Sequence, residues 1–360
     1  MKKMLVLAAV AIATTPAFAS KARLQALQSP AHTSDTRDVF KRPDQALVHG
    51  EFVTLEVGPG SDAAVTDSNS VNAEGGFVRK LGESSALGAY LGNKLGLAHS
   101  SLSLSTAYSK ANKSTIQNPL NLYYANKMGD MTWGLGLQYS SSDIKSVKSK
   151  SSTMGLNASA TGSVWDAQLA LGLTGEATAV DTNKIEQKAP VAIRGGYSID
   201  TLYVYAGYEM YGAKDKVIAT EATTETDVNN ITVGLVDSRK KDGTDFYYGV
   251  SYVASTTKVK DGTKTETTSL PLIVGIEAEA NSWLVVRGSI TQSVLLGTTK
   301  TTPANATATE DSLADNTKVA GGLGLKLGKF TVDGTLAGAA TGHLGSDDKF
   351  LANLGLTYKF

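Results

Sequence analysis

Along most of the chain, large apolar residues stand at every second position. Trp133-Gly134-Leu135-Gly136-Leu137-Gln138-Tyr139-Ser140 shows the pattern, and Leu169 to Thr174, Phe246 to Tyr252 and Leu323 to Leu327 repeat it. Strict alternation predicts strands with one apolar face and one polar or very small face. The alternating segments run about ten residues, the length that crosses a bilayer at a tilt. Their second face is Gly, Ser, Thr and Asn with scattered charges, which suits a wet interior better than a solvent face rich in Lys and Glu.

Turn signals divide the segments. Tight turns fall at Gly82-Glu83, Met128-Gly129, Thr161-Gly162, Ile199-Asp200, Asp242-Gly243, Asn281-Ser282 and Gly328-Lys329. Between them lie longer connections near 58–72, 94–118, 143–150, 178–189, 214–226, 258–266, 298–317 and 341–349. Short turns on one side and long loops on the other are the layout of an outer-membrane barrel. The expected fold is therefore all-β: a transmembrane, antiparallel, up-and-down β-barrel of about sixteen strands over 51–360. Turn lengths give registers as well. A two-residue loop at Met128-Gly129 would pair Tyr124 with Trp133; one at Gly328-Lys329 would pair Leu327 with Phe330. A three-residue turn from Asn281 to Trp283 would set Glu277 opposite Arg287.

Composition narrows the class. Cysteine is absent, which removes disulfides and thiolate metal sites. Lys plus Arg and Asp plus Glu are equal at 34 each, so net charge gives no sign of a nucleic-acid partner. Residues 1–19 read as a signal peptide: Lys2 and Lys3, an apolar run from Met4 to Ala13, and Ala17-Phe18-Ala19 as the cleavage site, with cutting expected before Ser20. Residues 20–50 form a separate pre-barrel or plug segment, with a helix-like stretch from Ala22 to Gln28, Pro30, Pro43 and mixed charges.

The chain closes on Asn353-Leu354-Gly355-Leu356-Thr357-Tyr358-Lys359-Phe360. Asn353, Gly355, Tyr358 and Phe360 occupy the slots of a motif that resembles the C-terminal assembly signal of bacterial outer-membrane barrels. That resemblance implies recognition by the barrel-assembly machinery and residence in the bacterial outer membrane. Length and strand count are similar to those of the bacterial general porins, which implies outer-membrane lipid and lipopolysaccharide as surroundings and a homotrimer as a possible assembly. The segment 20–50 departs from the general-porin pattern. It resembles the N-terminal hatch of the long-chain fatty-acid transporter family, which has fourteen strands. The alternative architecture thus starts at residue 85, with fourteen strands and 20–84 as an N-terminal plug; strand 73–81 is irregular because Arg79 shares the outer face with Phe77.

Candidate chemistry is sparse. His32, His49, His99 and His343 stand outside the strands with no Ser or carboxylate visibly placed beside them, so each reads as a solvated residue and no enzyme, cofactor or metal is expected. The inward faces carry the charges: Asp166, Arg194, Glu209, Glu277, Arg287, Lys326 and Asp333, with Lys318 and Lys359. At the lipid face Arg or Lys would cost about 2–4 kcal/mol at midplane. Sixteen strands enclose more space than side chains can fill, so these residues line a pore unless a plug intervenes. Around the mouth, the loop at 94–118 carries Lys94, Lys110 and Lys113, which become constriction candidates if Leu102-Ser103-Leu104 folds inward. Lys145, Lys148 and Lys150 extend this basic arc; Asp62, Asp67, Glu310, Asp311, Asp315, Asp347 and Asp348 form an acidic one. The expected function is a porin-like channel for passive diffusion of small polar solutes or ions. The alternatives are a plugged barrel that transports hydrophobic compounds and a structural or surface-adhesion barrel.

Overall fold

The computed structural model describes residues 20–59, 71–93, 96–105, 119–312, 317–339 and 353–360; the expected signal peptide lies outside them. Eighteen strand segments form one sheet in which the first strand, Phe52–Pro59, pairs with Val71–Lys80 on one edge and with the last strand, Asn353–Lys359, on the other. Every pairing is antiparallel and the sheet closes on itself. Asn183–Gln187 and Val191–Ile199 share one position, as both pair with Leu202–Val217. Thr309–Ser312 and Lys318–Leu327 likewise share one, beside Leu284–Thr302. The barrel therefore has sixteen strands. Val71–Lys80 is one of them, and the fourteen-strand alternative is set aside.

Alternation decides which face each residue takes. Leu135, Leu137, Tyr139, Ile193, Tyr197, Val204, Tyr208 and Met210 are exposed on the outside of the cylinder and form part of an apolar belt. Arg79 does share that outer face with Phe77. The registers expected at two turns hold: Leu327 pairs with Phe330, and Glu277 with Arg287. At the third, the turn is Gly129-Asp130, so Trp133 stands opposite Asn126 and not Tyr124. The shift is by two positions, which preserves the face, and the Tyr124 and Trp133 rings still meet edge to face at 5.8 Å. The Ile199-Asp200 turn also moves one residue on, since strands end at Ile199 and resume at Leu202. Asp242-Gly243 is as expected, with φ of 48° and 75°; positive φ at both positions is what a type I′ hairpin requires.

Several expected long loops turn out to be strand. Leu202–Val217, Thr223–Lys241, Thr244–Val259, Lys264–Glu279 and Leu284–Thr302 run 16 to 19 residues, where about 9–11 cross a bilayer. The connections near 178–189, 214–226, 258–266 and 298–317 thus contain much paired backbone, and the sheet continues past the apolar belt as a tall wall. Thr is frequent in these stretches, and its β-branched side chain fits a strand as well as a polar loop. Polarity alone therefore misplaced these boundaries.

Candidate functional site

Residues 20–50 lie inside the barrel. Ser20 caps the helix Lys21–Ala26 by accepting from the Arg23 amide at 3.2 Å. Asp35 and Asp38 form a capping box on the 3-10 helix Thr36–Phe40. A third short helix, Gln45–His49, precedes the first strand. Helices this short have little intrinsic stability, so their order comes from contact with the wall.

Those contacts circle the lumen. The Ala22 carbonyl accepts from Thr335, the Ala26 carbonyl from Ser289 at 2.7 Å, and the Leu27 carbonyl from Tyr247 at 2.7 Å. The Ala31 carbonyl accepts from Arg194 at 2.9 Å, and the Phe40 carbonyl from Asn157. Phe40 is buried edge-on against Tyr90, with ring centroids 4.4 Å apart. Two inward glycines leave room for the plug: a side chain at Gly134 would strike the backbone of Pro43 and Asp44, and one at Gly355 would strike the Ser20 side chain. At these two positions the small inward face is a seat for the plug.

The ion pairs between plug and wall share one polarity. Lys21 binds Glu74 at 3.4 Å, Arg37 binds Glu56 at 3.1 Å and Glu74 at 2.9 Å, and Arg42 lies 3.5 Å from Asp166. Arg23 engages Glu277 through two nitrogens at 2.7 and 2.9 Å and Asp35 at 3.1 Å. In each of these plug-to-wall pairs the cation belongs to the plug and the carboxylate to a strand.

The expected pore-lining residues therefore face inward, but most do not line open water. Glu277 and Arg287 are 2.5 Å apart, and Arg287 continues to Asp333 at 2.6 Å, which also accepts from Ser20 at 3.0 Å. With Arg23 this makes a largely buried charge network, where residues lining a pore were expected unless a plug intervened. Asp166 accepts from Tyr203 at 2.8 Å, and the Arg194 guanidinium lies over Tyr205 at 5.2 Å. Lys326 pairs with Glu279 at 2.5 Å, away from the plug. Glu209 remains half-exposed above the plug and is hydrogen-bonded to Asn230.

Glu209 begins a polar row. Cross-strand pairing runs Glu209, Asn230, Ser255, Thr267, Thr299 and Asp311. Ser255 donates to Asn230 at 2.7 Å, and the Thr267 and Thr299 hydroxyls are 3.3 Å apart. The members from Asn230 to Thr299 are half-buried and uncharged.

A second segment also enters the lumen. Leu97–Leu102 is a helix, and its fully buried Leu102 packs with Ala177, Ala179, Ile185 and Ala213 on the inner wall. Leu104 joins them, and Ser105 donates to Asp215 at 2.5 Å. Inward folding of this region is thus present. Lys94, Lys110 and Lys113 lie outside the described residues, as do Asp62, Asp67, Asp315, Asp347 and Asp348. Lys148 and Lys150 are exposed and answered locally by Asp181 and Asp143. Glu310 stands opposite Lys300. Of the arc residues that are described, Lys148, Lys150 and Glu310 thus stand beside opposite charge, while Asp311 faces Thr299.

Of the four C-terminal signal residues, Tyr358 and Phe360 face outward, with rings 5.2 Å apart. Asn353 and Gly355 face inward: Asn353 donates to Gln25, and Gly355 lies under Ser20.

The plug histidines are not solvated. His32 packs on Tyr247 at 4.9 Å, and burial lowers it to about 4. His49 is buried; desolvation, with Lys359, Arg23 and Arg42 nearby, pushes it down to about 3. Its Nε2 is 3.1 Å from the Ser34 hydroxyl, which also donates to Gln45 at 2.6 Å. So low a basicity leaves His49 little power to draw a proton from Ser34 near neutral pH. His99 lies on the inward helix and His343 outside the described residues. Among the described residues no group of His, Cys, Asp and Glu could hold a metal ion.

No family model matches the chain, and no curated protein matches it by sequence. Solved structures similar to it include OmpT, an outer membrane protein of Vibrio cholerae in trimer form, at 13% identity over 86% of this chain and 98% of that one, TM-score 0.40. A porin is similar at 11% identity over 86% and 99%, TM-score 0.39. The CymD monoaromatic hydrocarbon channel is similar at 10% identity over 97% and 99%, TM-score 0.41.

Proposed function

We propose that the protein is an outer-membrane channel for small, uncharged polar solutes, that its own N-terminal segment obstructs the lumen, and that it carries out no chemistry. The polar row from Glu209 to Thr299 carries this reading. Above the plug, the inner wall offers hydroxyl and amide groups spaced along one cross-strand line, with Glu209 its single charge before Asp311. A solute that exchanges water hydrogen bonds for these loses little on entry, while an ion meets few countercharges; selectivity follows from the groups that line the path. The obstruction is the correction that the structure brings to an open diffusion pore. The alternative of transport of hydrophobic compounds has its plug, but among the described residues the apolar inner surface at Ala177, Ala179, Ile185 and Ala213 is consumed by Leu102 and Leu104. Membrane lipid, lipopolysaccharide, the insertion machinery and a homotrimer belong to the same proposal.

Liposome swelling tests it. Neutral sugars or polyols are expected to enter faster than charged solutes of equal size, and faster again when plug docking is weakened. Equal exclusion of all solutes, with and without an intact plug, would overturn the reading.

A further inference from the structure

The plug lies across the joint at which the barrel closes. Among the described residues, Phe52–Pro59 and Asn353–Lys359 meet there in six residue pairs, from Phe52 with Lys359 to Val57 with Leu354. The neighbouring pairings of Val71–Lys80 with Ser85–Leu91 and of Phe330–Ala339 with Asn353–Lys359 are equally short, whereas on another part of the wall Thr223–Lys241 meets Thr244–Val259 in sixteen. This joint also brings together the two ends of the barrel sequence, so it carries the largest loop-closure entropy of any pairing in the cylinder.

The segment from Ser20 to Gln25 touches both sides of it. On the C-terminal side, Ser20 donates to Asp333 at 3.0 Å, Thr335 donates to the Ala22 carbonyl, and Asn353 donates to Gln25. On the N-terminal side, the Lys21 amide donates to Glu56 at 3.2 Å and its ammonium to Glu74 at 3.4 Å. Arg37 adds a second link to Glu56 and Glu74. Between these anchors, the Thr54 and Thr357 hydroxyls meet across the joint itself at 3.1 Å. Lys21, Glu56, Glu74, Asp333 and Asn353 are all buried. A charge left without its partner there is strongly destabilising. Opening the joint would therefore unpair groups on both sides unless the segment left first.

We infer that the segment Ser20–Gln25, with Arg37, is an intramolecular clamp on the closing joint, so that plug docking and barrel closure are one coupled event. The segment then has an assembly role besides its obstruction of the lumen, and this role is independent of which solute passes.

Two sets of substitutions release one side each: Gln25→Ala with Thr335→Val, and Glu56→Gln with Glu74→Gln. The measurement is refolding from urea into detergent, followed by the compact band on unheated gels and the temperature at which it is lost. Both sets are expected to form the compact band several-fold more slowly and to lose it at a lower temperature. The rescue uses Val53→Cys with Tyr358→Cys, which stand directly opposite across the joint in a chain without native cysteine. Oxidation of that pair should restore thermal resistance to both sets, and reduction should remove it again. Wild-type refolding and melting in the clamp variants would overturn the proposal. So would a cross-linked joint that restores nothing, since the contacts would then hold the plug alone. Conductance is recorded in parallel: a channel that excludes all solutes but still obeys the rescue would sink the transport reading and leave the clamp standing.

Discussion

Arg23 shows what one plug side chain holds. Its guanidinium fills two sites on Glu277 and one on Asp35, and Glu277 in turn holds Arg287. Arg23→Met leaves two carboxylates short of a partner in a buried place, a loss of about 3–5 kcal/mol for a broken buried pair. Faster protease cleavage of residues 20–50 in folded protein is the expected readout; unchanged cleavage would show that the plug is held by its backbone contacts alone. The buried histidines give the plug a pH dependence. An unfolded histidine titrates near 6.5, whereas His49 in place is lowered to about 3 and His32 to about 4. Each contribution is complete above pH 6.5 and is lost as pH falls toward the lowered value, because the undocked form takes up the proton first. Asp35, raised by burial to about 7, acts in the opposite sense as pH falls from 7 toward 4. Replacing both histidines with Gln removes their part and leaves that of Asp35. The double variant is then expected to hold its plug better in acid than at neutral pH, as read by protease cleavage across pH 4 to 7.5. A variant that copies the wild-type profile would assign the dependence to other groups.

At the scale of elements, the inward helix Leu97–Leu102 and the last strand make separate claims. Leu102 is fully buried against alanines and Ile185, so Leu102→Ala should cost about 2–5 kcal/mol locally and release the helix from the wall. Single-channel recordings are expected to show larger or noisier conductance; an unaltered trace would place this helix outside the permeation path. Phe360 stands exposed beside Tyr358, and its amide donates to the Glu51 carbonyl at 3.4 Å. Little packing is lost with it. If deletion of Phe360 still reduces the folded protein recovered from the outer membrane, while purified protein refolds normally, the defect lies in delivery. Equal recovery would mean that the terminal aromatic is no assembly signal.

For the whole molecule, the division between plug and cylinder sets the expected behaviour. Arg287 faces inward as the alternation implies, but it sits between Glu277 and Asp333 in a largely buried network and not on an open pore wall. Arg287→Glu would crowd three carboxylates into one site, so the outcome expected is loss of plug docking and a general rise in conductance, not a shift toward cations. Glu209→Gln is the cleaner selectivity variant, because Glu209 is half-exposed on the polar row. It should reduce cation preference at low salt with unchanged stability, and the difference should shrink as salt screens it. Unchanged reversal potentials would place the path elsewhere in the lumen.

Alternation by itself determined the cylinder. A period of two commits each residue to a face, and a slip of one residue would turn every Leu toward water, so the barrel class and the inward set of Asp166, Glu277, Arg287 and Asp333 could be read from order along the chain, whereas the choice between fourteen and sixteen strands could not. Composition along the chain also marked 20–50 as something other than barrel. What the inward charges meet was decided only by the tertiary structure. Glu56 and Glu74 lie within 54 residues of Lys21 and Arg37, yet Glu277 is 254 residues from Arg23, and nothing local ties the two. A lumen filled with water and one filled with a basic plug ask for the same small, polar and acidic wall. The tall hairpins were hidden for a similar reason: above the membrane neither face of a strand needs to be apolar, so the period that reveals strands fades where backbone pairing continues.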